Sequence, residues 1–350
     1  MMVDLFCVQP VMTPEDYFTK EAFYHKIDRY FRAAAKTRTP GRPAVIVFPE
    51  DIATFLLLEG QQDIVAGVRT LDEAFKTIGK KKLGRIVLTM VQYGTVRTRP
   101  AFFTGGATGV WHIWHGTMAR LAHDYEMTVV AGSALIPESR WIYDSNRYLP
   151  RNPNVYNFSF TVGPSGHVIH TTRKVNLVPT QEDVLELTPG PAEQAAQPTT
   201  LPGTDIRMGT VICYDGFVRP HTAQEPKFVN VLKLLDDNGA QLAAQPSANP
   251  WRWDEPWPLD TAAVPRIRRQ QWDEEGSKAA LAACRNIQVV VNPQLVFEFL
   301  DMHFDGESRI LARTPDGVQV LVNSQGIRGN GADAVLHSAW DFAPFTESTT

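Results

Sequence analysis

The chain has 350 residues, 43% of them hydrophobic and 21% charged, with a formal net charge of −4. That balance fits a soluble globular protein with a large core. It excludes the strong basic field that would draw a protein to nucleic acid or an anionic membrane. Three cysteines, Cys7, Cys213 and Cys284, stand far apart and outside any CxxC pair, so a disulfide framework and a structural zinc site are not expected. A reducing, cytoplasmic compartment follows, with neither a signal peptide nor a membrane span legible in the sequence.

Taken in chain order, Thr13-Pro14-Glu15-Asp16 opens a helix, and Phe18, Ala22, Phe23, Ile27, Tyr30 and Phe31 keep its period to about Lys36. Pro40-Gly41-Arg42-Pro43 breaks it, and Ala44–Phe48 reads as a strand buried on both faces. A helix is predicted near 61–79 and a strand over Arg85–Val91, then a helix near 108–126 and a strand at Met127–Ala134. Val155–Val162 and Val168–Thr172 flank the turn Gly163-Pro164-Ser165-Gly166 as a hairpin. Further on, a strand at Arg207–Cys213 precedes a helix near 225–237 and a strand near 241–245. A helix near 275–286 feeds a strand at Ile287–Val291, and a last hairpin joins Arg309–Arg313 to Val318–Val322. Helices interleaved with strands and hairpins give an α/β layered fold with a mixed sheet. No break in composition divides the chain, so one domain over 1–350, with its core at about 40–320, is expected. Two stretches, 136–154 and 247–273, fit no layer. The second carries Trp251, Trp253, Trp257 and Trp272, which suit a packed surface loop or subunit interface at least as well as a pocket wall.

Three residues sit where an α/β sheet places ligands, just past strand ends. Cys213 follows Met208–Ile212, where a sharp turn exposes a thiol and the next backbone N–H, that of Tyr214, points toward an oxyanion. Glu50 ends Val45–Pro49, where partial desolvation raises a carboxyl toward the range of a general base. Lys174 follows His170–Arg173, and an ammonium there can lower a thiol pKa and hold negative charge. Singly, each has a plainer reading: a core cysteine, a solvated strand-end glutamate and a surface lysine. His167 and His170 read as surface residues, and His303 as packed or exposed.

Together the motifs Phe48-Pro49-Glu50, Arg173-Lys174 and Cys213-Tyr214-Asp215, in this order, resemble the nitrilase, or carbon–nitrogen hydrolase, superfamily. Val129–Ser133, Tyr156-Asn157, Pro246–Pro250, Arg285-Asn286 and Gly306–Ile310 with Pro315-Asp316-Gly317 resemble its framework segments. The resemblance implies an αββα four-layer sandwich with mixed sheets, assembled as a homodimer or higher homo-oligomer, and a metal-free, cofactor-free Glu–Lys–Cys triad of Glu50, Lys174 and Cys213. It also implies oxyanion support from the Tyr214 backbone and a further glutamate after the lysine. Glu182 is favoured for that position, with Asp183 and Glu186 as competitors. Tyr214-Asp215 resembles the amidase and carbamoylase branches, where nitrile-cleaving members usually have Trp-Glu. The expected substrate is a small-molecule amide or carbamoyl compound. Nitrile hydrolysis and acyl transfer by the same triad remain alternatives, as does a non-catalytic binding or scaffold protein on a hydrolase fold. A papain-like protease would need a histidine partner that the surroundings of Cys213 do not supply.

Overall fold

The computed structural model describes residues 1–141, 143, 146–223, 225–260, 263–324 and 332–342. Its strands, in chain order, are β1 (Met2–Gln9), β2 (Val11–Met12), β3 (Ala44–Val47), β4 (Thr128–Val130), β5 (Ala134–Ser139), β6 (Pro150–Val162), β7 (Val168–Arg173) and β8 (Thr199–Thr200). There follow β9 (Arg207–Thr210), β10 (Leu242–Ala244), β11 (Val289–Asn292), β12 (Val296–Phe299), β13 (Met302–Phe304), β14 (Arg309–Thr314), β15 (Gly317–Asn323) and β16 (Ala334–Asp341).

Two mixed sheets carry the fold. The first has the order β16-β1-β3-β4-β6-β5, with β7 paired to β6; the second runs β15-β14-β11-β10-β9-β8. A small sheet of β13, β12 and β2 flanks them. Alternation along β3 explains the layering, because neighbouring side chains on a strand face opposite sides. Val45 and Val47 join Val3, Leu5, Met208, Leu242, Val289 and Ile310 between the sheets. Ala44, Ile46 and Phe48 face Phe31, Trp114 and Met118 of the outer helices Lys20–Thr37 and Thr98–Asp124. On the far side Ala243, Val290 and Leu311 pack on Leu232, Leu235 and Leu281 of helices Val231–Asp237 and Ser277–Ala282. The result is helix, sheet, sheet, helix: the αββα sandwich.

Several elements differ from the sequence reading. Arg85–Val91 is not a strand but the middle of a helix, Leu83–Tyr93, closed by Gly94 at φ +61°. Its apolar run looked like a buried strand. Instead Ile86 and Thr89, three apart, turn inward, while Leu83, Val87, Leu88 and Val91 face out. The helix expected near 61–79 is two, Gln62–Ala66 and Leu71–Lys81, the second started by a Thr70–Glu73 capping box. Thr13 caps only a short turn, and Thr19 caps the long helix Lys20–Thr37. The helix expected near 275–286 is split into Arg268–Glu275 and Ser277–Ala282, because Gly276 takes an extended conformation between them. β1 and β16, outside the expected 40–320 core, pair antiparallel along eight residues, and β1 runs parallel to β3. Among the described residues no helix is long and apolar enough to cross a membrane.

Candidate active site

Four strand-end segments converge. Glu50 follows β3, Lys174 follows β7, Cys213 follows β9, and Ala248 follows β10. Cys213 sits at φ +47°, a left-handed conformation that costs a side-chain-bearing residue roughly 1–3 kcal/mol. The turn is held on both sides: its N–H donates to the Pro246 carbonyl at 2.8 Å, and its carbonyl accepts from Gln245 Nε2 at 2.8 Å. Gly216 closes this turn. A Cβ there would stand 2.1 Å from Gln245 Nε2, so only glycine leaves room for the glutamine that braces the cysteine. The approach of Glu50 is fixed likewise, since Gly132, at φ +73°, lies so close that a Cβ would meet the Pro49 carbonyl at 2.2 Å.

The charged groups are buried and mutually engaged. Lys174 Nζ lies 2.8 Å from Glu50 Oε1 and 2.6 Å from Glu182 Oε2. Asn157 Nδ2 bridges the same two carboxylates, at 2.7 Å from Glu50 and 3.1 Å from Glu182. Glu50 Oε2 accepts from the Ala248 N–H at 2.9 Å, and Glu182 Oε2 from the Val178 N–H at 2.9 Å. The Cys213 thiol lies 3.6 Å from the Ala248 carbonyl and near enough to Glu50 for each group to act on the other's ionisation. Cys213, Glu50 and Lys174 are 3%, 2% and 2% exposed, so these charges act through a poorly screened medium.

The electrostatics follow from that burial. One ammonium faces two carboxylates. Burial, with the charge of Glu50, pushes the Cys213 thiol well above its ordinary range, against the pull of Lys174. The resting sulfur is therefore a thiol beside a carboxylate. Burial also raises Glu50, with Lys174 opposing. The two carboxylates hold Lys174 charged against its own burial.

Of the three acidic candidates after the lysine, the structure brings Glu182 to Lys174. Asp183 caps the Val184 N–H, and Glu186 pairs with Arg97 at 2.9 Å. Tyr214 is buried in the turn after Cys213. Its hydroxyl donates to Glu225 at 2.8 Å, and its ring stacks on His221 at 3.9 Å. Sequence reasoning gave Asp215 no role beyond its place in the motif. Its carboxylate accepts from the backbone N–H groups of Val175 (2.9 Å) and Asn176 (2.7 Å), tying the lysine segment to the Cys213 turn. Asp51, at φ +59°, also went unread. Burial and the neighbouring Glu50 raise it to about 7.

The tryptophan-rich stretch turns three of its aromatics inward, while Asp254, Glu255, Pro258 and Val264 stay exposed. Trp253, Trp257 and Trp272 are at most 1% exposed, and Trp253 and Trp272 share one apolar cluster with Cys213, Ile212, Tyr214 and Phe217. His303 is part-exposed beside Glu298. His167 is exposed, but His170 is half-buried, its pKa lowered by burial to about 4, which corrects its reading as a surface residue.

Residues 115–271 match the family profile of the carbon-nitrogen hydrolases. The matched segment is just under half of the chain. Lys174, Glu182 and Cys213 fall inside it, and Glu50 lies before it. No curated protein matches the chain. Among solved structures it is similar to a mutant of the amidase from Nesterenkonia sp. AN1 that shows Michael addition of acrylamide at the active-site cysteine. The identity is 15%, with 98% of this chain and 93% of that one covered, at a TM-score of 0.53. It is also similar to a carbon-nitrogen hydrolase from Helicobacter pylori G27, at 11% identity, 97% and 88% coverage and a TM-score of 0.55. At these identities the likeness is one of fold.

Proposed function

We propose that the protein is a cysteine-dependent hydrolase of non-peptide carbon–nitrogen bonds, acting on an amide or carbamoyl substrate through a thioester. The observation that supports this most is the placement of Cys213 against Glu50, with Lys174 held between Glu50 and Glu182. Such an arrangement provides a nucleophile, a base and an electrophile without further groups.

In this reading Glu50 takes the thiol proton as Cys213 Sγ attacks the carbonyl carbon. A thiolate standing free beside two carboxylates is disfavoured, so proton transfer and attack occur together. The carbonyl π electrons move to oxygen, where the Lys174 ammonium and the Tyr214 backbone N–H offset the new charge. Glu50 returns its proton to the departing nitrogen, the C–N bond breaks, and ammonia or an amine leaves. Water, deprotonated by Glu50, then attacks the thioester. The acid departs and the proton returns to sulfur. Glu182 acts as a positioning residue in this scheme, fixing Lys174 and, through Asn157, Glu50.

The test is ammonia release from amides, N-carbamoyl compounds and nitriles, with intact-protein mass spectrometry for an acyl adduct on Cys213. Release together with an adduct that is absent from Cys213→Ala supports the reading. An acylated amine in place of the free acid would make the protein an acyl transferase, and release from nitriles alone would make it a nitrilase. A Cys213 that reacts with no electrophile and supports no turnover would leave a binding protein on this fold.

A further inference from the structure

The helix pair Leu71–Lys81 and Leu83–Tyr93 stands outside the strand ends that form the site and supplies no residue to the proposed chemistry. Little of it is buried: Ala74 and Ile78 on the first helix, Ile86 and Thr89 on the second. The second helix turns more apolar surface outward than inward. Leu83, Val87, Leu88 and Val91 are 58%, 49%, 64% and 75% exposed, and Val96, just past its end, is 88% exposed. At about 100° per residue the four helical positions fall within one arc of about 140°. They form a continuous stripe, not the scattered single residues of an ordinary surface.

The same segment carries its own charge. From Lys76 to Arg99 the sequence holds seven lysines and arginines and no aspartate or glutamate, in a chain of net charge −4. The whole-chain balance gives no field toward an anionic surface, but this stretch gives one locally. Lys76 pairs with Asp72, and Arg97 with Glu186. Lys80, Lys81 and Arg85 are exposed, and among the described residues they make no ion pair. The Tyr93 hydroxyl donates to the Pro150 carbonyl at 3.0 Å, which brings the end of the β5–β6 hairpin, where Ser139 lies opposite Pro150, beside the helix. That end presents Arg140, Arg151 and Trp141, the last 51% exposed. An exposed indole among basic residues suits the headgroup level of a bilayer, where amphipathic rings settle.

We propose that this face rests on an anionic lipid bilayer, with the apolar stripe of Leu83–Tyr93 at the boundary of headgroups and acyl chains and with Lys80, Lys81 and Arg85 against lipid phosphates. Burial of the stripe and attraction of the basic residues to anionic lipid each supply part of the binding, as in other helices that lie in a membrane surface. A second copy of the chain suits the face less, because a two-fold contact would set this acid-free segment against itself. A nucleic acid would use the charge but leave the apolar stripe in water. The proposal goes beyond the hydrolase reading and does not depend on the chemistry at Cys213.

The experiment is flotation of the full chain with vesicles of phosphatidylcholine alone and of phosphatidylcholine with about one third phosphatidylglycerol. Binding is expected to the second composition only, and to weaken as salt is raised. Lys80→Gln, Lys81→Gln and Arg85→Gln together should lower the partition coefficient by roughly 10²-fold, at about fivefold for each charge. Leu88→Ser with Val91→Ser should lower it by roughly tenfold or more. All five positions are exposed, so both variants should keep the wild-type fold, which circular dichroism checks. No binding to either composition, or equal binding to both, overturns the proposal. Binding that survives either set of substitutions overturns it too. Light scattering and a DNA duplex supply the rival arms. A dimer that dissociates in the serine variant, or DNA binding that the serine variant retains, each found without vesicle binding, gives the face to another partner and overturns the proposal.

Discussion

The two halves of the site are finished to different degrees. Around Cys213 every charge has its partner inside the protein: Lys174 lies between Glu50 and Glu182, and Asn157 spans the same carboxylates. Around Arg268 the indole nitrogens of Trp253, Trp257 and Trp272, His221 Nε2 and Asp305 Oδ1 have none. The first half is prearranged, so it loses little by reorganising when bonds change. On the proposed function, reactivity belongs to the first half.

The largest expected effect isolates the first half. Cys213→Ala should cut turnover by about 10⁵–10⁶-fold, the scale seen when a nucleophile is removed from a coupled set. Far-UV circular dichroism should show an unchanged fold. Ammonia release at even a hundredth of the wild-type rate would sink the assignment. Lys174→Met comes next, for it both removes an oxyanion partner and strands two buried carboxylates. A loss of roughly 10²–10³ in kcat should accompany a loss of about 3–5 kcal/mol in urea unfolding. Full stability in that variant would mean that the two carboxylates are not held by the lysine. Gly216→Ala tests the brace behind the nucleophile. The new methyl would stand 2.1 Å from Gln245 Nε2, and about 1–3 kcal/mol of stability should go. Adding Gln245→Ala should recover part of it, and no recovery would place the clash elsewhere.

The smallest effect is a pH dependence. Asp51 is raised from 3.8 to about 7, chiefly by burial, then by Glu50. The folded state thus binds this proton more tightly than the unfolded chain does. The stability contributed is complete below about pH 4 and is lost as the pH rises through about 7. Asp51→Asn, which cannot ionise, should therefore gain on wild type between pH 5 and pH 8. Parallel stability curves for the two proteins would show that Asp51 does not titrate in this window.

How much of this was legible depended on whether the signal was local. Glu50, Lys174 and Cys213 each close a short apolar strand, and such a pattern lies within a few residues of the position it marks. Glu182 could be favoured by its spacing, but its contact with Lys174 needed the folded loop. Asp215 was visible as part of a motif, yet its hold on the N–H groups of Val175 and Asn176 spans about forty positions. Arg268 had no signal of its own. A lone arginine among tryptophans suits a surface as well as a core, and only burial without a carboxylate sets it apart. Leu83–Tyr93 misled because a helix with apolar residues facing outward carries the composition of a buried strand.

The pairing of β1 with β16 bears on how the chain reaches this state. Gln9 lies opposite Ala334, 325 positions later. Closing a loop of that length is an entropic cost that local contacts cannot offset early in folding. Until residues 334–341 arrive, β1 can pair with β3 but presents its other edge bare. An unpaired apolar edge is a template for pairing with another molecule. Shortening the chain before Ala334 should therefore show first as aggregation during refolding, while the residues around Cys213 remain unaltered in sequence.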